Sequence, residues 1–479
     1  TLMAKLLFLQ DLEYEYLGPM YISSMLKKHG HNVLLRIGNK INDFTEIISI
    51  FKPDFVAFSI MSGSHHWALN MARQVKKEFG IPNVFGGPHP TFFPDFVEEE
   101  GIDVIVRGEG EEACLEFMNR VDKGKDFLDV NNLWISRNGH VHRNEVRALD
   151  KDLDEYPFPD RELYSDLKGK IDIKERNLIT SRGCPWHCTF CFNDAMRELY
   201  SGKGKYIRTR DIDKVLEEAK ILRDTYKTKA IYFSDDVFGL DKKWLYEFLP
   251  KFKDQIDLPF LCLVRADVIC KDEKYVQCLA DNGCILVSFG IESGNEDIRN
   301  KMLGKKILNS QIYKAAELLH SAGIKFRTFN IIGLPGETLE DALSTVKINM
   351  DIKTDYPWCS TFMPLPGTKL TNYAMDTGCI SRDFTVNDLT PSFFSKSNLI
   401  NHPNIRKLEN LQKFFQTAVL WPWAFKFIKY LIKLPPNRLF TLWFGFVYFL
   451  IHVRAEKRNF WQTIYFALRN YKRLLWKKD

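Results

Sequence analysis

Through the first 145 residues, short apolar runs alternate with longer amphipathic ones. Lys5–Leu9, Asn32–Ile37, Asp54–Ile60, Asn83–Phe85 and Asp103–Val106 have the near-continuous hydrophobicity of strands buried on both faces. Pro19–Lys28, Thr45–Phe51, Trp67–Phe79 and Thr91–Glu99 carry helical patterns between them. Strand and helix alternating at this pitch predict βαβ units, right-handed crossovers and a doubly wound parallel sheet. Residues around 120–170 read as a connector. Within it the acidic, proline-containing stretch Asp150 to Arg161 suits an exposed linker.

A second alternating series follows. Asn177–Ser181, Ala230–Ser234, Phe260–Arg265, Leu286–Ile291, Lys325–Ile332 and Trp358–Phe362 read as strands. Ile212–Tyr226, Lys242–Phe252, Glu273–Asn282 and Asn309–Ala322 are among the helical patterns between them. Six such repeats predict a partial (β/α)6 barrel of the TIM type, with its chemistry at the carboxyl ends of the strands. The fold class is therefore α/β. Its expected parts are a Rossmann-like domain over 1–145, a linker over 146–170, a barrel over 171–390 and a helical extension over 391–479. A chain of 479 residues is long enough for several cores.

The carboxyl ends of the first-domain strands share a composition. They lead into Leu17-Gly18-Pro19, into Ser59, Ser62 and Gly63, into Gly86-Gly87-Pro88-His89, and into Gly108-Glu109-Gly110-Glu111. Small residues let a ligand approach the backbone, and ligands of open α/β sheets bind at this edge. Each glycine pair alone could simply make a turn. Together on one edge they suggest a cradle for something large or flat.

Charge adds a boundary. The chain carries a formal +6, but residues 401–479 hold fifteen Lys and Arg against three acids, a balance of +12, which leaves −6 for the rest. From Trp421 to Trp476 there are seventeen aromatics among these cations. The longest uncharged apolar run, Leu439 to Val453, has fifteen residues, short of the roughly twenty that span a bilayer. Interfacial helices combine such aromatics with a cationic face. The tail is therefore expected to touch a membrane surface, the alternatives being a cap packed on the barrel and, least favoured, an RNA contact. No nucleic acid partner is expected. The opening TLMAKLLFLQ lacks the length and cleavage site of a secretory signal, so a reducing cytoplasm is expected, with peripheral contact at the inner membrane surface.

Ten cysteines in that setting are read first as ligands. Cys184, Cys188 and Cys191 lie within eight residues, spaced Cys-x-x-x-Cys-x-x-Cys on a Gly-Pro loop after a strand. Three thiolates at that spacing reach one iron–sulfur cluster. Zinc would want a fourth ligand, which His187 could supply on paper. Three ligands on a four-iron cluster leave one iron open, a place to bind a substrate. The other seven cysteines form no second close trio, and Cys284 and Cys359 read as small barrel hydrophobes.

This spacing, with the aromatic Phe190 just before the third cysteine, resembles the radical S-adenosylmethionine (SAM) superfamily. The order LGP, S-x-x-SGS, GGPHPT and RGEGEE resembles the cobalamin-binding domain that precedes many such enzymes. The resemblance covers about residues 5–375. It implies a 4Fe-4S cluster on the three cysteines, SAM chelated at the open iron, and its reductive cleavage to a 5′-deoxyadenosyl radical. It places Ser234, Asp235 and Asp236 near the methionyl amine, Arg265, Glu292 and Ser293 near the carboxylate or ribose, and Gly333 beside adenine. It implies cobalamin held by the glycine edge, without the Asp-x-His-x-x-Gly histidine that ligates cobalt in the mutases. His65, His66 and His89 lie in the binding loops, where surface or loop roles are commoner than metal ligation. A flavodoxin- or ferredoxin-type one-electron donor is expected. The reading is C-methylation of an unactivated carbon on a small, hydrophobic substrate. The alternatives are an oxidative cyclisation like that of the anaerobic magnesium-protoporphyrin ester cyclase, and a non-catalytic corrinoid or iron–sulfur protein.

Overall fold

The computed structural model describes residues 3–149, 152–167, 174–390, 396–400 and 402–455, with Ser392 and Phe394. The chain forms two compact units, residues 1–172 with 195–208, and residues 173–194 with 209–479.

In the first unit the strands are β1 (Lys5–Gln10), β2 (Asn32–Ile37), β3 (Phe55–Ser59), β4 (Asn83–Gly86), β5 (Val104–Val106), β6 (Leu133–Arg137) and β7 (His140–Arg143). The sheet order is β2-β1-β3-β4-β5-β6-β7. The first five strands are parallel and the last two join antiparallel. The helices are α1 (Leu17–Lys28), α2 (Thr45–Phe51), α3 (His65–Phe79), α4 (Pro88–Phe92) and α5 (Glu111–Asp122). Leu7, Leu9, Val56 and Phe58 pack on one face with Ala68, Ala72 and Val75 of α3, while α1 and α5 pack on each other. Burial on both faces explains why β1, β3, β4 and β5 read as unbroken apolar runs. The winding reverses between β1 and β3, the place where such sheets bind ligands.

Two expectations for this unit are corrected. The helix expected over Thr91–Glu99 is broken. Helix α4 ends at Phe92, and a 3-10 turn follows over Pro94–Glu98, because Pro94 has no N–H to continue the ladder. The stretch expected as an exposed connector is a hairpin, β6–β7, followed by a packed strap. Val146, Leu149, Leu153, Leu163 and Tyr164 are buried. The Tyr164 hydroxyl donates to Gln10 Oε1 at 2.8 Å and accepts from the Tyr16 amide at 3.1 Å. Asp160 accepts from Ser23 Oγ and Lys27 Nζ, both at 2.6 Å. Acidity made this stretch look solvated, yet Leu153 and Pro159 within it and Leu163 and Tyr164 just beyond it are buried. Asp150 and Lys151 lie outside the described residues.

The second unit holds six parallel strands in sequence order: β8 (Glu175–Leu178), β9 (Ala230–Phe233), β10 (Phe260–Leu263), β11 (Cys284–Glu292), β12 (Lys325–Ile332) and β13 (Tyr356–Thr361). Helix α6 (Phe192–Leu199) follows the cysteine loop. Then come α7 (Ile212–Asp224), α8 (Lys242–Gln255), α9 (Ala266–Ile269), α10 (Glu273–Asp281), α11 (Asn309–Ser321), α12 (Leu339–Asp351) and α13 (Lys369–Asp376). Phe233, Phe260 and Phe289 of the strands share one core with Leu216, Phe248, Leu279 and Leu319 of the helices. Cys284 and Cys359 are buried in the sheet, as read from sequence.

Three more helices close the described chain: α14 (Ile405–Leu420), α15 (Phe425–Leu431) and α16 (Arg438–Ala455). Leu408, Leu411, Phe415 and Val419 of α14 join a core with Ile332, Val346 and Cys359. Gln412 Nε2 donates to the Cys359 carbonyl at 3.0 Å, and Gln416 Nε2 to the Pro357 carbonyl at 3.2 Å. One helical turn separates the two glutamines and one pleat pair the two carbonyls. The helix thus satisfies outward acceptors of β13, a strand at the end of its sheet. For α14 the packing-cap alternative holds. Residues 456–479 of the expected tail lie outside the described residues.

Candidate active site

Strand β8 ends at Leu178. Beyond it the Thr180 amide, Thr180 Oγ1 and Ser181 Oγ all donate to the Asp235 carboxylate, at 3.0, 2.8 and 2.5 Å. This side chain replaces the strand ladder and turns the chain into the loop Gly183–Cys191. Asp235 is buried, and desolvation raises its pKa although these hydrogen bonds oppose the rise. Its role is to shape the loop. Its neighbour Asp236 accepts from Asn193 Nδ2 at 2.8 Å and lies near enough to Cys184 and Cys191 to raise both thiol pKa values. Asp236 itself is solvent-accessible, yet partial desolvation by its neighbours raises its own pKa. Ser234 Oγ is buried without a hydrogen-bond partner among the described residues, so it is available to a ligand.

The loop is pinned from below by Thr189. Its amide donates to the Leu303 carbonyl at 3.1 Å, its hydroxyl to the Met302 carbonyl at 2.7 Å, and its carbonyl accepts from the Leu370 amide at 3.0 Å. A Cβ on Gly304 would stand 2.9 Å from the His187 carbonyl oxygen, so the loop rests directly on backbone.

None of the three thiols is in a disulfide. Cys184, Cys188 and Cys191 interact electrostatically with one another. Burial raises the Cys184 thiol and pushes Cys191 up to about 11, so neither is a thiolate before it meets iron. Loading therefore releases protons. His187, the fourth ligand a zinc reading needs, is 66% exposed and engages Asp194 Oδ1 at 2.7 Å, while Lys369 takes the other oxygen at 2.6 Å. Burial works to raise the Asp194 pKa, but these two hydrogen bonds outweigh it and hold the carboxyl low. Among the described residues no three His, Cys, Asp or Glu side chains surround a single-ion position. A cluster asks for something different, since each thiolate takes its own iron. The all-sulfur donor set fits a cluster.

Two cations border the loop. The Arg265 guanidinium lies 4.2 Å from the Trp186 ring centroid and 3.8 Å, by Nη1, from Cys188 Sγ. Its other donors reach Asp267 Oδ1 at 2.9 Å and the Lys305 carbonyl at 2.7 Å. With its donors so committed, Arg265 braces the cluster loop rather than presenting a free fork to a carboxylate. Lys305 Nζ donates to Glu292 Oε1 at 2.7 Å, with both side chains buried, and stands 5.8 Å from the Phe190 ring centroid. Glu292 is aimed by an irregularity in β11. The register shifts between Gly290 and Glu292, and Glu292 has φ of +64°. A Cβ on Gly290 would overlap the Glu292 carboxylate and come 2.5 Å from Lys305 Nζ, so only glycine admits this pair. Ser293 is fully buried, with Oγ accepting from the Asn295 amide at 3.3 Å. The Gly333 amide donates to Glu337 Oε2 at 2.6 Å, which ties that loop to a buried carboxyl.

In the first unit the glycine edge divides into two kinds. Positions for a Cβ on Gly18 and Gly63 meet open space, and on Gly86 only Val106 at 4.0 Å. These three leave room for a ligand. Gly87, at φ +95°, would bring a Cβ to 2.8 Å from the Ile60 carbonyl, close to Ser59 Oγ. Gly108 lies under the Tyr200 ring, whose hydroxyl accepts from the Glu109 amide at 2.7 Å, and a Cβ on Gly110 would touch Ile22 and Val106. The Glu109 carboxylate pairs with Arg208. Gly87, Gly108 and Gly110 therefore serve close packing. The open half of the edge fits a large flat group. Ser62 Oγ pairs with His89 Nδ1 at 3.1 Å. Against expectation, His65 and His89 are buried, with ring centroids 4.3 Å apart. Burial, reinforced by His65 and His66, lowers His89 to about 3, so it is neutral.

Sequence reasoning missed Lys305, Trp186, Thr189, Tyr200 and Arg208. Lys305 sits in a Lys-Lys pair thirteen residues past its partner, with no motif to mark it. The aromatic–proline neighbourhood of Trp186 was the only local signal among them.

Comparison with known proteins gives two family matches: the radical SAM superfamily over residues 178–348 and the B12 binding domain over residues 11–118. An uncharacterized methyltransferase of Pyrococcus horikoshii is 32% identical over 75% of this chain and 78% of its own. The anaerobic magnesium-protoporphyrin IX monomethyl ester cyclase of Rubrivivax gelatinosus is 26% identical over 85% of this chain and 74% of its own. Among solved structures, the cobalamin-dependent SAM radical enzyme OxsB, with aqua-cobalamin and SAM bound, superposes with a TM-score of 0.70 at 17% identity, covering 98% of this chain and 75% of that one.

Proposed function

The chain belongs to the radical SAM enzymes that carry a B12-binding domain, and from that premise we propose that it methylates an unactivated carbon of a hydrophobic small molecule. It is an enzyme, with a 4Fe-4S cluster, SAM and cobalamin as its cofactors. When bound, these supply a 5′-deoxyadenosyl radical and a methyl carrier. The observation that carries the reading is the loop of Cys184, Cys188 and Cys191 at the carboxyl end of β8, with an open glycine edge on the other unit.

The chain's own residues have separable tasks. The three cysteines hold the cluster. Arg265 directs an N–H toward Cys188 Sγ and, with Trp186, shields that sulfur from water. Ser234 Oγ and Asp236 offer an unpaired hydroxyl and a carboxylate to the methionyl amine. Lys305 and Glu292 present a neutralised pair whose remaining oxygen suits a ribose hydroxyl. Gly333 and the loop closed by Glu337 border adenine. Gly18, Gly63 and Gly86 leave space for the corrinoid. A flavodoxin- or ferredoxin-type protein delivers the electron.

Anaerobic reconstitution with iron, sulfide and hydroxocobalamin tests the reading. Methyl transfer consumes two SAM per product, yielding both 5′-deoxyadenosine and S-adenosylhomocysteine. 5′-Deoxyadenosine without S-adenosylhomocysteine would favour the cyclase alternative. Neither product, from a protein with full cluster absorbance, would refute radical SAM activity.

A further inference from the structure

The last two described helices each have two apolar faces. In α16, Phe440, Phe444, Val447 and Ile451 pack inward, Phe440 against Phe414, Phe444 beneath Lys413, and Ile451 on the β-sheet side of the unit. Leu439, Leu442 and Phe446 face outward, with Leu439 74% exposed, and Trp443 is part-exposed while its indole N–H donates to Thr417 Oγ1 at 2.8 Å. Their spacing of i, i+3, i+4 and i+7 is one helical stripe. On the preceding segment Trp423, Phe427, Tyr430 and Leu434 repeat the pattern at i, i+4, i+7 and i+11, with Trp423 70% and Tyr430 71% exposed. Single exposed apolar residues need no explanation, but two such groups on consecutive segments do, Phe427 and Tyr430 lying on α15, Trp423 in the turn before it and Leu434 just beyond its end.

Charge identifies the occupant. From Trp421 to Ala455 the sequence holds Lys426, Lys429, Lys433, Arg438 and Arg454, and no acid. Lys429 Nζ stands over the Phe425 ring, 4.8 Å from its centroid, and Lys433 Nζ over the Tyr430 ring at 5.4 Å, so cations and aromatic faces share one surface. A second copy would set these cations against their own kind. An anionic surface with an apolar interior complements both features. Among the described residues no helix is long and apolar enough to cross a membrane.

We propose that α15 and α16 seat the enzyme on the face of an anionic phospholipid bilayer, with Trp423, Phe427, Tyr430, Leu439, Trp443 and Phe446 at headgroup depth and the lysines among the phosphates. The seat gives purpose to the hydrophobic-substrate reading above, on which it rests only for that purpose. A lipophilic substrate enters from the bilayer without crossing water.

The test uses the full chain with its cluster, sedimented with vesicles of phosphatidylcholine alone or with one third phosphatidylglycerol, at about 50 and about 500 mM salt. The wild type should partition at least about tenfold better onto the anionic vesicles at low salt, and salt should weaken this. F427Q/L439Q/F446Q and, separately, K426Q/K429Q/K433Q should each lose about tenfold or more of that binding. Both should keep cluster absorbance, melting temperature and SAM cleavage, none of which involves these exposed positions. Wild type that stays in the supernatant with both vesicles overturns the proposal. So does binding that ignores the substitutions, or a concentration-dependent dimer that the apolar variant disperses. Loss of SAM cleavage in the wild type would instead strike the enzymatic reading and leave the sedimentation result standing.

Discussion

Glu337 offers a quantitative handle on the Gly333 loop, which is proposed to border adenine. Its carboxyl is buried, with Oε2 accepting from the Gly333 and Leu334 amides at 2.6 and 3.3 Å and Oε1 lacking a partner among the described residues. Desolvation, opposed by those amides and helped by Asp341, pushes its pKa from 4.5 to about 8. In the unfolded chain the group ionises near its ordinary value. Between the two values the folded state holds one more proton than the unfolded, so stability falls as pH rises through this window and levels off above it. At pH 7, two and a half units above the unfolded value, the loss is about 3 kcal/mol. Glu337→Gln keeps the shape and the amide acceptor but cannot ionise. The variant should melt near the wild type at pH 5 and above it by roughly 5 °C at pH 8, a size expected for a unit of this length. Calorimetric or fluorescence melts of both proteins from pH 5 to 9 measure the gap. A gap that does not change with pH would refute the argument.

Cys188→Ala should abolish SAM cleavage and the reconstituted cluster absorbance while the melting temperature stays within a few degrees. Retained cleavage would sink the cluster assignment. Gly86→Phe should lose cobalamin yet keep the cluster, because a side chain there meets open space, whereas Gly87→Ala should lower stability through the 2.8 Å approach to the Ile60 carbonyl and the positive φ. Cobalamin titration and melting curves separate the two, and equal effects would mean that the division of the glycine edge is mistaken. Arg265→Lys removes the N–H near Cys188 and the stacking on Trp186, and should lower the cluster's reduction potential, read by electron paramagnetic resonance titration. An unchanged potential would show that Arg265 does not act on the sulfur.

The parallel strands and the cysteine loop were legible in the sequence because their signals are local. Unbroken apolar runs mark β1, β3 and β5, and three cysteines within eight residues mark the cluster. What escaped depends on distant partners. Asp235 looked like a ligand residue at a strand end, but Thr180 and Ser181, more than fifty positions earlier, make it a loop-shaping group. Lys305 is indistinguishable by sequence from its neighbour Lys306 until the bend at Glu292 reaches it. Gly86 and Gly87 are adjacent glycines with opposite tasks, and only the carbonyl of Ile60 tells them apart. The strap containing Tyr164 was misread because acidic composition outweighed its few buried apolar residues.

The pair Gln412 and Gln416 sets a timetable for synthesis. Strand β13 leaves the ribosome with its sheet neighbours already made, but its outer carbonyls find donors only when residues 412 and 416 follow, some fifty residues later. During that interval a nascent chain shows a bare β edge beside the apolar side chains of Ile332, Val346 and Cys359. A message cut short near residue 400 would therefore yield an aggregating fragment rather than a smaller enzyme. A stop after α14 would supply both glutamine donors to that edge.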